Sequence, residues 1–192
     1  MLANFHPTSS SFNGMPIKTN LSILAGTYKG THLKTLDSAD MRPTSARVRK
    51  SLFGMLGNLS GLSVLDIFSG SGSLGFEAAS RGAVSVTFVD SDRRAVESIR
   101  KNGLLFEGVS LDSFRQDVFR FLKQCNSSFD LILADPPYEK MNLNELVDQA
   151  IKLLGSGGRL VIESSVREKW NSEGARVKKY GCLLYTSDAA DE

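Results

Sequence analysis

The 192-residue chain has few of the side chains on which metal sites and many hydrolases depend. It contains two cysteines and two histidines. Cys125 and Cys182 lie far apart, so they form neither a Cys-x-x-Cys pair nor the framework of a small disulfide-stabilised domain. His6 lies in a polar N-terminal stretch and His32 in a predicted hairpin, which leaves little from which to assemble a zinc site or a hydrolytic triad. We therefore expect no resident metal and a reducing compartment.

Long apolar runs are also missing. No stretch approaches the ~20 apolar residues that span a bilayer. The N-terminus has no basic patch followed by a continuous apolar segment. We therefore expect a cytoplasmic protein that works without a membrane. Its composition, 41% hydrophobic and 23% charged, is that of one globular domain with a small appendage.

Acidic residues are scarce near the N-terminus. Residues 1–60 carry seven Lys or Arg and two Asp, a local net charge of +5, whereas the whole chain carries +2. Such asymmetry favours a basic element that meets a polyanion, although solvated surface charge is an equal alternative on this evidence. Residues 1–20 are rich in Ser, Thr and Asn without apolar periodicity, which predicts a disordered leader. Residues 21–60 form the basic element.

Two patterns give this basic element its predicted form. Gly26 and Gly30 separate two short strand-like pieces within residues 21–34, which indicates a hairpin. Ser45 can cap a helix, and the apolar spacing over residues 46–59 has the helical period. Three arginines cluster around the start of that helix: Arg42, Arg47 and Arg49.

From residue 61 onward, apolar strands alternate with amphipathic helices. The predicted strands are 63–68, 85–90, 109–114, 129–134 and 159–163, and the predicted helices are 75–81, 93–102, 118–125 and 143–154. Repeated β-α units of this length imply an α/β fold with a doubly wound, mostly parallel sheet and helices on both faces. We expect one Rossmann-like domain over residues 61–181, with its ligands at the carboxyl ends of the strands.

Three glycines follow the first of these strands in a G-x-G-x-x-G pattern: Gly70, Gly72 and Gly75. The pattern lets the backbone approach a ligand closely, so all three glycines are candidate donor contacts, and it suits a dinucleotide as well as S-adenosylmethionine. Asp66 lies just before the turn, where a carboxylate repels a pyrophosphate but suits a cationic sulfonium ligand. Helix capping is the alternative role for Asp66. Asp90 ends the second strand, where it can accept hydrogen bonds from ribose hydroxyls.

Asp117 follows the third strand. Its carboxylate can accept a hydrogen bond from an adenine amino group or cap the following helix, and both roles can coexist. Phe68 or Val118 would line the adenine pocket. The competing interpretation of the glycines, a nicotinamide-dependent oxidoreductase, is disfavoured because the sequence has neither a Tyr-x-x-x-Lys pair nor a candidate catalytic histidine.

The most specific motif is Asp135-Pro136-Pro137-Tyr138, directly after the apolar strand at 129–134. An exocyclic amine is a poor nucleophile because its lone pair is delocalised into the ring, so its methylation needs acceptors that orient the N–H groups. The Asp135 carboxylate and the Pro136 carbonyl can supply two, and Tyr138 can stack on a flipped-out base. A proline-rich helix cap is the alternative. The motif predicts methyl transfer to an amino nitrogen without a metal or a covalent intermediate.

Together these segments resemble the RsmD-type methyltransferases, bacterial enzymes that make N2-methylguanosine in small-subunit (16S) ribosomal RNA. The likeness runs from about Ile23 to Gly181 and includes ILAGTYKGTHLK, RPTSARVRKSLF, VLDIFSGSGSLGFEAASRGA, VTFVDSD, Asn102 and ADPPY. The resemblance implies a class I S-adenosylmethionine-dependent fold with its base site at residues 135–138. The donor contacts that it implies are Asp66, Gly70, Gly72, Asp90 and Asp117.

The same resemblance implies that the basic element grips 16S rRNA in an assembled or partly assembled small subunit, and we expect a monomer. The candidate RNA contacts are Lys29, Arg42, Arg47 and Arg49. Ala46 and Lys50 stand where many relatives have acids, so this helix start is more basic than theirs. Other acceptors remain open: adenine N6 in nucleic acid, glutamine in protein, or no acceptor at all in a ribosome-assembly factor. The short hairpin favours rRNA, and the intact D-P-P-Y motif argues against a silent factor.

The end of the chain departs from the family pattern. After Tyr180-Gly181 the family continues with a strand of alternating pattern, whereas residues 182–192 are CLLYTSDAADE. This segment resembles a translated sequencing adapter. We predict that residues 182–192 are not native, with a divergent polar tail as the alternative.

Overall fold

The computed structural model describes residues 21–35, 45–137, 141–163, 178–180 and 183–187. Strand β1 (Leu21–Ser22) pairs antiparallel with β2 (His32–Leu33), which confirms the hairpin. The predicted leader, Arg42 and Tyr138 lie outside the described residues.

A mostly parallel sheet forms the centre of the molecule. Its parallel strands are β3 (Ser63–Ile67), β4 (Ser85–Asp90), β5 (Ser110–Arg115), β6 (Phe129–Ala134) and β7 (Leu154–Glu163). They lie in the order β5-β4-β3-β6-β7. Because the chain winds outward in both directions from β3, the order reverses between β3 and β6, the usual position of a ligand crevice. The prediction of a doubly wound sheet is confirmed.

Two antiparallel strands extend the sheet beyond β7. They are β9 (Leu183–Ser187), which pairs with β7, and β8 (Lys178–Tyr180), which pairs with β9. The segment predicted to be non-native therefore includes a strand with a defined register, from the Arg159–Ser187 pair to the Glu163–Leu183 pair. Its non-native origin stays a prediction.

Five helices connect the described strands, and their bounds are α1 (Ala46–Leu56), α2 (Ser73–Ser80), α3 (Arg93–Gly103), α4 (Val118–Gln124) and α5 (Leu143–Ala150). Side-chain oxygens of Ser45, Asp92, Asp117 and Asn142 cap four of them by accepting backbone N–H groups. Helix α1 ends before the predicted residue 59 because Gly57, with φ of 71°, turns the chain out of the helix. No helix in the described ranges has the length and apolar character needed to cross a membrane.

Successive residues of β3, β6 and β7 supply two separate cores. Val64 packs with the hairpin, α1 and α2, whereas the next residue, Leu65, packs with α4 and α5. This alternation follows from the period of two in a strand, and it covers both faces of the sheet with helices. Residues 155–158, between the predicted helix 143–154 and the predicted strand 159–163, form a bulge inside β7, because Phe129 pairs with Leu154 and Leu131 pairs with Arg159.

Candidate active site at the carboxyl edge of the sheet

Three neighbouring strands bring carboxylates to one edge of the sheet. In the parallel register, Ile67 of β3 pairs with Val89 of β4 and with Ala134 of β6. Asp66, Asp90 and Asp135 therefore lie around the ends of adjacent strands. Asp66 is 1% exposed, and burial raises its pKa well above the usual carboxyl range; the negative charges of Asp135 and Asp90 raise it further.

The turn after β3 is tightly held. Phe68 has φ of 56°, a left-handed conformation that costs a non-glycine residue about 1–3 kcal/mol and therefore requires support from its surroundings. The amide of Ser69 donates to the carbonyl of Val89 at 3.2 Å, and the amide of Gly72 donates to the carbonyl of Ser69 at 2.6 Å. These bonds fix the backbone at the position where a donor molecule is predicted to bind.

Asp90 links this turn to the start of α3. Its Oδ2 accepts a hydrogen bond from the amide of Gly70 at 2.7 Å, and its Oδ1 accepts one from the amide of Asp92 at 2.8 Å. A carboxylate has about four acceptor positions, so Asp90 can keep both bonds and still accept from ribose hydroxyls.

Asp66 makes the contact expected of a helix-capping acid. Its Oδ2 accepts a hydrogen bond from the amide of Gly75, in the first turn of α2, at 2.8 Å. This was the alternative to a donor contact, and the two roles are compatible because a carboxylate has further acceptor positions. The charges acting on its pKa, those of Asp135 and Asp90, are both negative. The site therefore favours a cationic ligand over a pyrophosphate, which fits S-adenosylmethionine.

Gly75 has a packing role. A Cβ at this position would lie 2.3 Å from the Phe88 ring and 2.9 Å from Oδ2 of Asp66. Only glycine lets α2 approach β4 this closely, and the Gly75 amide is already bonded to Asp66. The predicted contact of Gly75 with the donor stays a prediction.

Asp117 caps α4. Its Oδ1 accepts a hydrogen bond from the amide of Arg120 at 2.9 Å, as one of its two predicted roles requires. The amide of the preceding residue, Gln116, donates to the carbonyl of Asp90 at 3.0 Å, which holds Asp117 at the same edge of the sheet as the glycine turn. Its bond to an adenine amino group stays a prediction.

The D-P-P motif directly follows β6. Asp135 is half-buried, Pro136 is buried and Pro137 is exposed. Because β6 lies beside β3, the Asp135 carboxylate is close enough to Asp66 to affect its pKa. Asp135, which is predicted to bind the base, and Asp66, which is predicted to bind the methyl donor, thus belong to one site.

Comparison with known proteins identifies the family. The profile of a family described as conserved hypothetical protein 95 matches residues 21–185. Ribosomal RNA small subunit methyltransferase D of Haemophilus influenzae is 37% identical over 142 residues, which is 71% of this chain and 72% of the relative. The Escherichia coli K12 protein of the same name is 31% identical over 147 residues, with 76% and 72% covered. The chain belongs to the RsmD-type methyltransferase family.

Solved structures agree with this membership. The putative methyltransferase yhhF from Escherichia coli superposes with a TM-score of 0.77 at 27% identity and covers 89% of this chain and 99% of its own. A hypothetical protein from Thermus thermophilus gives a TM-score of 0.72 at 29% identity, with 88% and 98% covered. Magnesium protoporphyrin IX methyltransferase from Synechocystis, solved with S-adenosylmethionine, shares the fold with a TM-score of 0.58 at 20% identity, with 74% and 78% covered.

The structure separates the basic residues of this RsmD-type chain into two groups. Lys29 and Arg47 are exposed, so they can contact RNA. Arg49 is 2% exposed, and its guanidinium donates to the carbonyl of Ser22 at 3.0 Å and lies 3.6 Å from the Glu77 carboxylate. The prediction that Arg49 contacts RNA is corrected, because this side chain is directed into the protein.

Sequence reasoning did not single out Glu77, which is fully buried at the centre of an ion cluster in this RsmD-type fold. It stands in an apolar stretch, Phe76-Glu77-Ala78-Ala79. A charged residue on a buried helix face requires a partner, and this signal could have identified it.

Proposed function

We propose that this chain transfers a methyl group from S-adenosylmethionine to the exocyclic N2 amine of a guanine in 16S ribosomal RNA. One observation carries the proposal: Asp66 and Asp90 at the glycine turn meet Asp135 of the D-P-P motif at one edge of the sheet. The relatives named ribosomal RNA small subunit methyltransferase D support the choice of RNA. The proposal goes beyond those relatives' names in two respects: the methyl acceptor is guanine N2, and the protein works in the cytoplasm.

The glycine turn and its carboxylates hold the donor. Bound S-adenosylmethionine supplies an electrophilic methyl group on a positively charged sulfur. Asp90 accepts hydrogen bonds from the ribose hydroxyls while it keeps its bonds to Gly70 and Asp92. The negative charges of Asp90 and Asp135 around the buried Asp66 favour the cationic part of the donor.

The D-P-P motif orients the amine. The Asp135 carboxylate accepts one N–H of the guanine amine, and the Pro136 carbonyl accepts the other, so that the nitrogen lone pair faces the methyl group. The two prolines restrict the loop to few conformations, which keeps both acceptors in place. The carboxylate then holds or passes on the proton that the nitrogen loses. Tyr138 supplies the stacking surface for the base in this proposal.

The exposed cations Lys29 and Arg47, together with Arg42, grip the RNA backbone. We place the reaction on an assembled or partly assembled small subunit and assign it to a monomer, since the basic element and the site belong to one chain. The adenine N6 amine is the second candidate for the methyl group. It also presents two N–H groups, which the Asp135 carboxylate and the Pro136 carbonyl could orient.

Identification of the methylated nucleoside tests the proposal. Purified protein is incubated with methyl-labelled S-adenosylmethionine and small ribosomal subunits from cells that lack this modification, and the RNA is digested to nucleosides. Label in N2-methylguanosine is the expected result. Label in N6-methyladenosine would show that the methyl acceptor is adenine N6 and not guanine N2. No label, from protein shown to be folded and to bind the donor, would contradict it.

A further inference from the structure

The N-terminal segment, residues 21–35, is bonded to α2 through a buried carboxylate. Oε2 of Glu77 accepts a hydrogen bond from the amide of Leu24 at 2.8 Å, and Oε1 accepts one from the amide of Ala25 at 3.1 Å. Glu77 is 0% exposed. Both oxygens therefore fix the backbone of a segment more than 50 residues away in sequence.

Ser80, one turn further along α2, holds the adjacent part of the segment. Its hydroxyl donates to the carbonyl of Ala25 at 2.6 Å and accepts from the amide of Tyr28 at 3.0 Å. Its carbonyl accepts from the amide of Thr27 at 2.7 Å. A Cβ at Gly26 would lie 1.8 Å from that carbonyl oxygen, so the segment lies directly against the helix.

The same carboxylate also anchors α1. The Arg49 guanidinium lies 3.6 Å from Oε2 of Glu77 and donates to the carbonyl of Ser22. Nε of Arg81 donates to Oε1 of Glu77 at 2.7 Å. Three elements therefore meet at Glu77: the N-terminal segment, the start of α1, and α2.

These contacts connect the RNA side of the protein to the donor side. Glu77 lies two residues after Gly75, whose amide is bonded to Asp66, so it belongs to the helix that begins at the glycine turn. Lys29 lies in the N-terminal segment, and Arg47 lies two residues before Arg49. Both exposed cations that we assign to RNA are thus on elements bonded to Glu77.

We propose that Glu77 is a positioning residue that fixes the RNA-contacting cations relative to the methyl-transfer site. The inference rests on the proposed function. A buried ion cluster is weak evidence for stability, because desolvation offsets most of the attraction, and apolar side chains of similar size often stabilise a fold equally well. The bonds from Glu77 to the Leu24 and Ala25 amides instead fix where the N-terminal segment lies.

The chain offers matched control variants at the opposite end of the sheet. Oδ2 of Asp130 accepts from the amide and the hydroxyl of Ser63 at 2.8 and 2.7 Å, and the Ser63 hydroxyl accepts from the Asp130 amide at 3.2 Å. Glu77→Gln is therefore compared with Asp130→Asn, and Ser80→Ala with Ser63→Ala. Each pair loses similar bonds, but only the first member of each holds the N-terminal segment.

The test measures kcat and KM for small ribosomal subunits, the Kd of S-adenosylmethionine, and the melting temperature of every variant. Assays are run well below the lowest melting temperature. We expect Glu77→Gln to raise the KM for subunits about tenfold, which equals about 1.4 kcal/mol of RNA binding. The Kd of the donor should stay close to the wild-type value. Ser80→Ala should raise the KM in the same direction by a smaller factor, and it remains informative if Glu77→Gln does not fold.

The controls should lower the melting temperature without changing the KM. The inference is overturned if the KM of Ser80→Ala equals that of Ser63→Ala, or if donor affinity falls in proportion to RNA affinity. Absence of methyl transfer by the wild type would contradict the proposed function and this inference together. Normal transfer by the wild type with an unchanged KM in the variants would contradict this inference alone.

Discussion

Asp90 and Gly70, which are 20 residues apart, are joined by a hydrogen bond of 2.7 Å between the carboxylate and the backbone amide. The bond ties the end of β4 to the turn after β3. Because the second oxygen of Asp90 accepts from the amide of Asp92, one carboxylate sets the relative position of the two loops that border the proposed donor site.

Asp90→Ala should therefore weaken donor binding through both the lost ribose contact and the loosened turn. Hydrogen bonds to a charged group contribute about 1.5–3 kcal/mol, so we expect the Kd of S-adenosylmethionine to rise roughly tenfold to a hundredfold. Isothermal titration calorimetry measures it. Asp92→Ala is the control, since it removes the cap of α3 and should lower stability by about 1 kcal/mol without changing the Kd. If Asp90→Ala and the wild type bind S-adenosylmethionine with equal Kd, Asp90 does not contact the donor.

Two arginines in one helix should behave in opposite ways. Arg47→Ala should leave the melting temperature unchanged, weaken RNA binding and reduce the slope of log K against log salt by about 0.7–0.9, as the loss of one phosphate contact requires. Arg49→Ala should lower the free energy of unfolding by about 1–3 kcal/mol, since Glu77 loses one of its two cationic partners and the Ser22 carbonyl loses its donor, while Arg81 stays bonded to Glu77. Salt titrations and denaturant melts separate the two effects. If Arg47→Ala keeps the wild-type slope of log K against log salt, Arg47 is a solvated surface residue that does not contact a phosphate.

Gly75 and Gly54 provide a contrast in packing. Gly75→Ala would bring a methyl group to 2.3 Å from the Phe88 ring, so repacking should cost roughly 1–3 kcal/mol of stability. Gly54 lies in α1, where no atom of the described residues lies within 4 Å of its hypothetical Cβ, and Gly54→Ala should instead stabilise the helix by about 0.5–1 kcal/mol. Chemical denaturation of both variants decides the matter. Equal stability in the two would disprove the close approach of α2 to β4.

Asp66 should make stability depend on pH. Its folded pKa is raised, so between the ordinary carboxyl pKa and the raised value the folded protein holds one more proton than the unfolded chain. Its stabilising contribution is therefore fully present below the ordinary carboxyl pKa and is lost as the pH rises through the folded pKa. Asp66→Asn should abolish this loss. Denaturant melts of both proteins across this pH window test it, and parallel profiles would show that Asp66 is not responsible.

Most of the strands and helices could be predicted because their signals are local. Apolar runs of five or six residues and capping acids gave β4 and β6 with their observed bounds, and α3 and α4 within one residue. The glycine turn and the D-P-P motif were placed at one edge because parallel strands share the direction of their carboxyl ends.

Tertiary contacts explain what the sequence did not reveal. Arg49 was assigned to RNA because it lies near other cations, but its partners are Ser22 and Glu77, both 27 or more positions away. Whether a cation points outward or inward depends on such distant groups. Gly75 is a predicted donor contact from its place in a motif; the structure adds a packing role, set by Phe88 of the neighbouring strand, that the motif alone does not reveal.

The most direct test of the central claim is single-turnover methylation of small ribosomal subunits by wild type and by Asp135→Ala, with the labelled nucleoside identified. We predict N2-methylguanosine from the wild type. Asp135→Ala should show no detectable turnover while its Kd for S-adenosylmethionine stays within a few-fold of the wild-type value, because the carboxylate acts on the base. Near-normal methylation by Asp135→Ala, or label in a nucleoside other than N2-methylguanosine, would contradict the account.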